Sequence, residues 1–206
     1  MKTCRHPTAG RRRRGAIAVE TALLLPLMLG VAFVASDLQR LSAERAQLEQ
    51  SAGSAAITIA AQQRLTKPGV DALVDLVTLG RPAQYQVTIL AVRQSRRIAW
   101  GLQRGDGPAC APLGDGTSYT GPLPQELPPV PSSGTGAGGG QADNSTVTLV
   151  VVQACRATRD IRSHGGVWLP DRLQVRAVNR AVAQTIALDE PLTLESLASG
   201  LAQPAP

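Results

Sequence analysis

The sequence predicts an α+β protein, in which one long N-terminal helix packs on a small, mainly antiparallel β domain and spans a membrane with its first half. Two features lead to this prediction. Residues 16–36 form an apolar run of 21 residues with one charge, and three later runs are rich in β-branched residues. A 21-residue helix is roughly 30 Å long, which matches the hydrocarbon core of a bilayer. The β-branched runs suit half-buried strands.

The net charge of +6 belongs to the first 15 residues of the 206-residue chain. Lys2, Arg5 and residues 11–14 supply six positive charges and no acid, so residues 16–206 carry 15 basic and 15 acidic groups. The chain also has only five aromatic residues, too few for a platform that stacks single-stranded bases. We therefore expect no nucleic-acid partner.

The positions of the arginines also predict the topology of the membrane helix. By the positive-inside rule, the run 11–14 keeps the N-terminus in the cytoplasm. Residues after Ser36 are then expected on the other side of the inner (cytoplasmic) membrane, in the periplasm or outside the cell. The protein is predicted to be a single-pass membrane protein.

A cleaved secretory signal is the competing interpretation of this segment, because residues 34–36 (VAS) would serve as a small-residue cleavage site. The run is longer than a usual signal core and contains a glutamate and a proline, which favours a membrane span. A twin-arginine signal is weakly indicated, since residues 15–17 follow the arginines without its further features.

Glu20 is the one charge inside the apolar run. A carboxylate in hydrocarbon is costly, so Glu20 either has a functional partner or extends to the lipid headgroups. Around it, residues 11–26 read RRRRGAIAVETALLLP, a basic leader ending in Gly15 with Glu20 fifth after that glycine. This pattern resembles the processing site of type IV prepilins. It is most similar to the TadE, TadF and TadG pseudopilin family of tight-adherence (Flp, type IVb) pili.

The resemblance implies a pilin-like fold and roles for three residues. A prepilin peptidase would cut between Gly15 and Ala16, and Glu20 would guide assembly. Cleavage leaves an ammonium on Ala16, which a neighbouring subunit's Glu20 can neutralise only at one offset of the two helices. The resemblance covers residues 11–36, and it departs from the family at Thr21, where Phe or Tyr is usual.

The function predicted from these features is that of a minor pseudopilin of a tight-adherence pilus or a related secretion apparatus, with a role in cell adhesion. Its implied partners are the inner membrane, prepilin peptidase, other pilins and pilus-assembly platform proteins. The alternative is an uncleaved single-pass membrane protein whose outer domain binds a ligand or partner. Mass spectrometry of the N-terminus separates the two.

Features of an enzyme are not expected. His6 lies in the leader, and His164 lies in a turn-like sequence without clustered Cys or Asp, so we predict no metal site and no cofactor. Residues 136–140 (GAGGG) lack the Lys and Ser/Thr of a phosphate loop.

The helix is predicted to continue beyond the membrane to residue 63, because apolar residues recur at helical spacing. This stripe contains Leu38, Leu41, Leu48, Ala52, Ala55 and Ile59, and Arg45 interrupts it. We expect the stripe to pack on the outer domain, and the alternative is a short coiled coil that dimerises the protein. The predicted organisation is a leader (1–15), a membrane helix (16–36), its extension (37–63), a head (64–100 and 146–190), a disordered loop (101–145) and a tail (191–206).

Within the head, a short helix is expected after Pro68, followed by a hairpin of strands at 84–93 and 96–103 and a strand at 146–155. Residues 173–183 fit a strand, although arginines at 172, 176 and 180 also have the spacing of a helix face. Residues 101–145 contain 11 Gly and 7 Pro, a composition that predicts disorder. The tail is expected to form at most a short helix.

Two of the three cysteines are predicted to lie outside the membrane. Cys4 belongs to the leader, whereas Cys110 and Cys155 follow the membrane segment and form an even pair in an oxidising compartment. A disulfide between them would contribute about 4 kcal/mol by the chain-entropy relation. The alternative is two free thiols.

Overall fold

The computed structural model describes residues 10–125, 127, 145–160 and 170–201, and the side chains from residue 19 onward except that of residue 160. Its helices and strands, in chain order, are α1 (Gly10–Ala60), β1 (Arg64–Leu65), α2 (Lys67–Thr78), β2 (Tyr85–Arg93), β3 (Ile98–Arg104), β4 (Thr148–Ala157), β5 (Arg172–Arg180), β6 (Ala187–Leu188) and α3 (Glu190–Ala198). The predicted α+β class is confirmed, with one long apolar N-terminal helix and a small antiparallel sheet.

The chain divides into two compact units, and the boundary lies within α1, between Ala43 and Glu44. The first unit contains the membrane-length part of α1. Its large apolar side chains between Val19 and Val34 are 38% to 70% exposed. Among the described residues, α1 is the one helix that is long and apolar enough to cross a membrane.

The second unit, which we call the α+β domain, begins with residues 44–60 of α1. This part of the helix buries one stripe, formed by Leu48, Ala52, Ala55 and Ile59, each at most 5% exposed. Arg45 lies outside the buried stripe and pairs with Glu49 one turn later at 2.8 Å. From Leu48 to Ile59 the stripe therefore packs inside the domain, as predicted, and this part is not available for a coiled coil between two copies. The first two residues of the predicted stripe, Leu38 and Leu41, precede the domain and are not buried, and Leu38 is 48% exposed.

The sheet of the α+β domain has the order β3-β2-β4-β5, and each neighbouring pair is antiparallel. Strands β2 and β3 form the predicted hairpin, which turns through Arg96 at a φ of 70°. The segment 173–183, for which the sequence favoured a strand but also allowed a helix, forms a strand as far as Arg180, β5. A second, two-stranded sheet pairs β1 with β6 in parallel, which the sequence did not indicate.

The two faces of the four-stranded sheet have different coverings. The side chain of Arg156 on β4 contacts Glu44 of α1, so we call the side of the sheet on which Arg156 lies the helix face. The opposite face carries a core cluster of Leu90, Val92, Ile98 and Val151, together with the buried Leu113 and Tyr119 from the segment after β3. We call this segment, residues 105–125, the covering loop, and its side of the sheet the loop face.

The prediction of a disordered loop over 101–145 is wrong for its first half. Strand β3 continues to Arg104, and the covering loop is tied to the hairpin by hydrogen bonds such as Ile98 N to Thr117 O at 2.8 Å. Two apolar side chains of this segment, Leu113 and Tyr119, are buried although its overall composition is rich in Gly and Pro. Residues 126 and 128–144 lie outside the described residues.

The C-terminal segment is also part of the domain. Asp189 caps α3 by accepting a hydrogen bond from Leu192 N at 3.0 Å, and Leu192 is fully buried. Ser196 and Ser199 of this segment contact β3. The predicted short helix is present, and it packs against the sheet instead of belonging to a free tail.

Candidate functional site

The residues singled out at the N-terminus lie on a single element. Gly15, Ala16 and Glu20 are all in α1, and Glu20 follows Ala16 by four residues. In a helix this spacing places two residues on the same face, about 6 Å apart along the axis. A new N-terminus at Ala16 would therefore begin one turn before the carboxylate of Glu20.

The Glu20 side chain lies in an apolar and exposed environment. Val19, which precedes it, is 60% exposed, Leu23 on the next turn of the helix is 70% exposed, and Glu20 is exposed as well. In the part of the chain that the structure describes, Glu20 forms no ion pair. A carboxylate in this position can accept a charged hydrogen bond from an ammonium of another molecule.

The structure joins Cys110 to Cys155 by a disulfide, with the sulfur atoms 2.09 Å apart and the Cα atoms 5.5 Å apart. Cys155 is fully buried on β4, whereas Cys110 lies on the covering loop. The bond therefore attaches the covering loop to the centre of the sheet.

Three glutamines on the loop face hold the loop around this disulfide. Gln86 accepts a hydrogen bond from Cys110 N, Gln153 donates to Ala111 O at 3.0 Å, and Gln174 accepts from Ala111 N at 3.3 Å. Each glutamine is on a different strand, β2, β4 or β5. Buried amides satisfy the backbone groups of a loop that has no strand partner at this point.

A short turn stabilises the far end of the covering loop. The carboxylate of Asp115 accepts hydrogen bonds from Ser118 N at 2.6 Å and from both Thr117 N and Thr117 Oγ1 at 3.0 Å. These donors favour the ionised form, so the pKa of Asp115 lies below its ordinary value. The turn places Tyr119 in the core.

A buried ion pair joins α1 to the sheet. Arg156, whose side chain is 6% exposed, pairs with Glu44, which is 34% exposed. The guanidinium also donates to Gln84 Oε1 at 3.4 Å and lies 5.2 Å from the centre of the Tyr85 ring. Burial raises the pKa of the Tyr85 hydroxyl. The sequence does not indicate this ion pair, because 112 residues separate the two charges and neither has a local signature.

Replacing Glu44 with leucine is expected to lower the free energy of unfolding by about 3 kcal/mol, since it leaves the buried guanidinium of Arg156 without its counter-ion. The matched control is Glu49→Leu, which removes an exposed ion pair on the same helix and should cost less than about 1 kcal/mol. Denaturation of the full chain in detergent, followed by circular dichroism, measures both. Equal effects of the two substitutions would contradict the structural role of Arg156.

An open pocket of about 220 Å³ lies beside the disulfide. Its lining includes Thr88, Leu90, Gln103, Cys110 and Leu201, and contains no ionisable group. The described residues also contain no group of three or more His, Cys, Asp or Glu that could hold a metal ion. The pocket therefore supplies neither an acid-base pair nor a metal site for catalysis.

Comparison of the chain with models of protein families, with curated proteins and with solved structures finds no match.

Proposed function

We propose that the chain is a minor pseudopilin of a tight-adherence (Flp, type IVb) pilus or a related secretion apparatus. In this proposal, prepilin peptidase cuts after Gly15, and the mature subunit assembles through Glu20. The observation that carries the proposal is the position of Gly15, Ala16 and Glu20 in a 51-residue helix with an exposed apolar surface around the glutamate.

The exposed apolar part of α1 supports a location in lipid or among other helices. A soluble protein rarely exposes a contiguous apolar surface of this extent. A helix satisfies its own backbone hydrogen bonds, so it is suited to hydrocarbon. The same surface can pack against neighbouring pilin helices once the subunit leaves the bilayer.

The disulfide supports placing the α+β domain outside the cytoplasm. Disulfides persist in oxidising compartments such as the periplasm and the cell exterior. The arginines at 11–14 favour a cytoplasmic N-terminus, so the two features agree on one topology. This is the topology in which a peptidase at the cytoplasmic face of the inner membrane can reach Gly15.

The pairing of Glu20 with a neighbour's Ala16 supplies a mechanism for assembly. Before cleavage, Ala16 has no charge, because its nitrogen belongs to a peptide bond. Cleavage creates an ammonium, and its charge is matched when a neighbouring helix places Glu20 at the same height. Only mature subunits can form this pair, so processing would control entry into the filament.

The N-terminus of the protein tests this proposal directly. Co-expression with the cognate prepilin peptidase should yield a product that begins at Ala16 and lacks all six positive charges of the leader. Intact-mass spectrometry of the purified protein identifies the first residue. A protein that begins at Met1 would instead support an uncleaved membrane protein, and a start at Asp37 would support a secretory signal.

A pair of glycine variants makes this test specific. Gly15→Leu should block cleavage, because a bulky side chain would occupy the position before the cut bond. Gly30→Ala is the matched control within the same helix, since no atom lies within 4 Å of the added Cβ. Its processing should equal that of the wild type.

A further inference from the structure

Strand β5 forms one edge of the four-stranded sheet. Among the described strands it pairs with β4 alone. The other edge strand, β3, is covered by the C-terminal segment: Gly101 N donates to Ser196 Oγ at 3.1 Å, and Ser199 Oγ donates to Gly101 O at 3.3 Å. The edge at β3 is therefore covered by the C-terminal segment, whereas no described strand covers the edge at β5.

The register with β4 identifies which backbone groups of β5 point outward. Ala181 N donates to Thr148 O at one end of the pair, and Thr158 N donates to Asp171 O at the other. Hydrogen-bonded pairs alternate along an antiparallel ladder, so the odd-numbered residues of β5 bond to β4. The N–H and C=O groups of the even-numbered residues, 172 to 180, point away from the sheet.

Among the described residues, most of these outward groups have no backbone hydrogen-bond partner. Arg180 N is satisfied by Asn179 Oδ1 at 2.9 Å. The described part of the chain supplies no further strand to Arg172, Gln174, Arg176 and Val178. An unpaired edge of this length is a template for another extended segment.

The side chains of the same residues make the edge basic. Residues 172, 176 and 180 are arginines, and the two-residue period of a strand places all three on the loop face. Arg172 donates to Ala109 O at 2.6 Å, and Arg176 lies 6.0 Å from the centre of the Tyr119 ring. No carboxylate of the described residues lies within ion-pair distance of these three arginines.

We propose that β5 is a docking edge for a partner protein, which adds an extended acidic segment to the sheet as a fifth strand. Backbone hydrogen bonds to residues 172–178 would supply affinity, as in other cases of strand addition. Acidic side chains opposite the arginines would supply specificity through cross-strand pairs. A second copy of β5 that pairs antiparallel about Arg176 would place arginine opposite arginine at all three positions, which is unfavourable.

The acidic partner segment has a recognisable pattern. Because the three arginines are four residues apart, the complementary strand carries Asp or Glu at every fourth position on one face, in either direction. This docking edge does not depend on the pseudopilin proposal, since it uses only residues of the α+β domain.

Hydrogen exchange of the full chain in nanodiscs of neutral lipid tests the docking edge. The probe is a capped peptide that alternates threonine and valine and carries glutamate at every fourth position, and the control peptide has lysine in place of glutamate. Saturating glutamate peptide should slow amide exchange at residues 174, 176 and 178 about tenfold or more, and the lysine peptide should not. Equal protection by both peptides, or by neither, would overturn the proposal.

Charge reversal supplies the second part of the test. Arg172→Glu combined with Arg180→Glu should reverse the preference between the two peptides, so that the lysine peptide, and not the glutamate peptide, slows exchange in β5. Arg64→Glu combined with Arg81→Glu is the matched control, because both residues are exposed and lie outside the four-stranded sheet. The control should keep the preference of the wild type. Loss of preference in both double variants would show a general charge effect and overturn the proposal.

A backbone variant separates strand addition from simple charge attraction. Val178→Pro removes an outward N–H and leaves every hydrogen bond to β4 intact. Protection by the glutamate peptide should fall at residues 174 and 176. The Val178 side chain also packs against the core cluster, so Val178→Ala, which removes only that packing, is the matched control and should keep the protection of the wild type. If residues 174, 176 and 178 are protected without any peptide, and their protection increases with protein concentration, a second copy occupies the edge. That result would overturn the proposal.

Discussion

Replacing both Cys110 and Cys155 with alanine is expected to lower the free energy of unfolding by about 4 kcal/mol. The disulfide closes a separation of 45 residues, and chain-entropy arguments give a cost of this size for releasing such a loop in the unfolded chain. This is about a quarter or more of the 5–15 kcal/mol that is usual for a whole domain.

In the double variant, the folded state should lose order first in the covering loop. The covering loop carries Leu113 and Tyr119 into the core, and Cys110 is its covalent attachment to β4. The hydrogen bonds that the loop forms with the side chains of Gln86, Gln153 and Gln174 remain in the variant, but the covalent attachment beside them is lost. We expect faster hydrogen exchange in residues 105–125 before any other part of the domain.

Denaturant unfolding of the full chain in detergent measures the loss, and two comparisons isolate its cause. Reduction of the wild-type protein breaks the bond without creating the small void that alanine leaves at the buried position 155. Cys4→Ala removes the remaining cysteine and should leave stability unchanged. Alkylation without reductant should leave Cys110 and Cys155 unlabelled. A loss below about 1 kcal/mol on reduction would contradict the role assigned to the disulfide.

Much of the fold could be predicted because its main signals are local. A continuous apolar run and a helical stripe predict α1, and the β-branched run at 146–155 predicts β4 to within two residues. The arginines of β5 were ambiguous for a physical reason. A spacing of four residues keeps side chains on one face of a strand and also on one face of a helix.

The parts that were missed depend on contacts between distant residues. Residues 105–125 have the composition of a disordered segment, and their order arises from two apolar side chains, three glutamines on three strands and one disulfide. The residues around Glu44 and those around Arg156 contain no pattern that would indicate an ion pair between the two. Such features depend on which surfaces meet in three dimensions, so a single sequence does not display them.

The N-terminal motif is visible in the sequence for the opposite reason, and its role stays a prediction. Gly15, Ala16 and Glu20 lie within six consecutive residues, and the helix that contains them fixes their spacing without help from the rest of the chain. The proposed pairing of Glu20 with Ala16 lies between two molecules, so only an experiment on assembly tests it.

Glu20→Gln is expected to prevent assembly while leaving insertion and cleavage intact. Glutamine keeps the size and polarity of glutamate but lacks the charge that offsets a neighbour's Ala16 ammonium. Leaving one member of a buried ion pair alone costs about 3–5 kcal/mol, which corresponds to a loss of at least a hundredfold in the pairing equilibrium. Neutral glutamine enters the membrane more easily than glutamate, so protein levels should not fall.

Crosslinking to partner pilins and recovery in sheared pilus fractions measure this loss, with the amount of processed protein in the membrane as the reference. Glu49→Gln is the matched control, because Glu49 lies on the same helix, outside the apolar segment, and forms only an exposed pair with Arg45. Glu20→Asp should retain part of the assembly, since the charge remains and only its reach is shorter. If Glu20 merely extends to the lipid headgroups, it has no partner to lose, and Glu20→Gln would then assemble like the wild type. Normal incorporation of Glu20→Gln at wild-type protein levels would therefore remove the assembly role from Glu20.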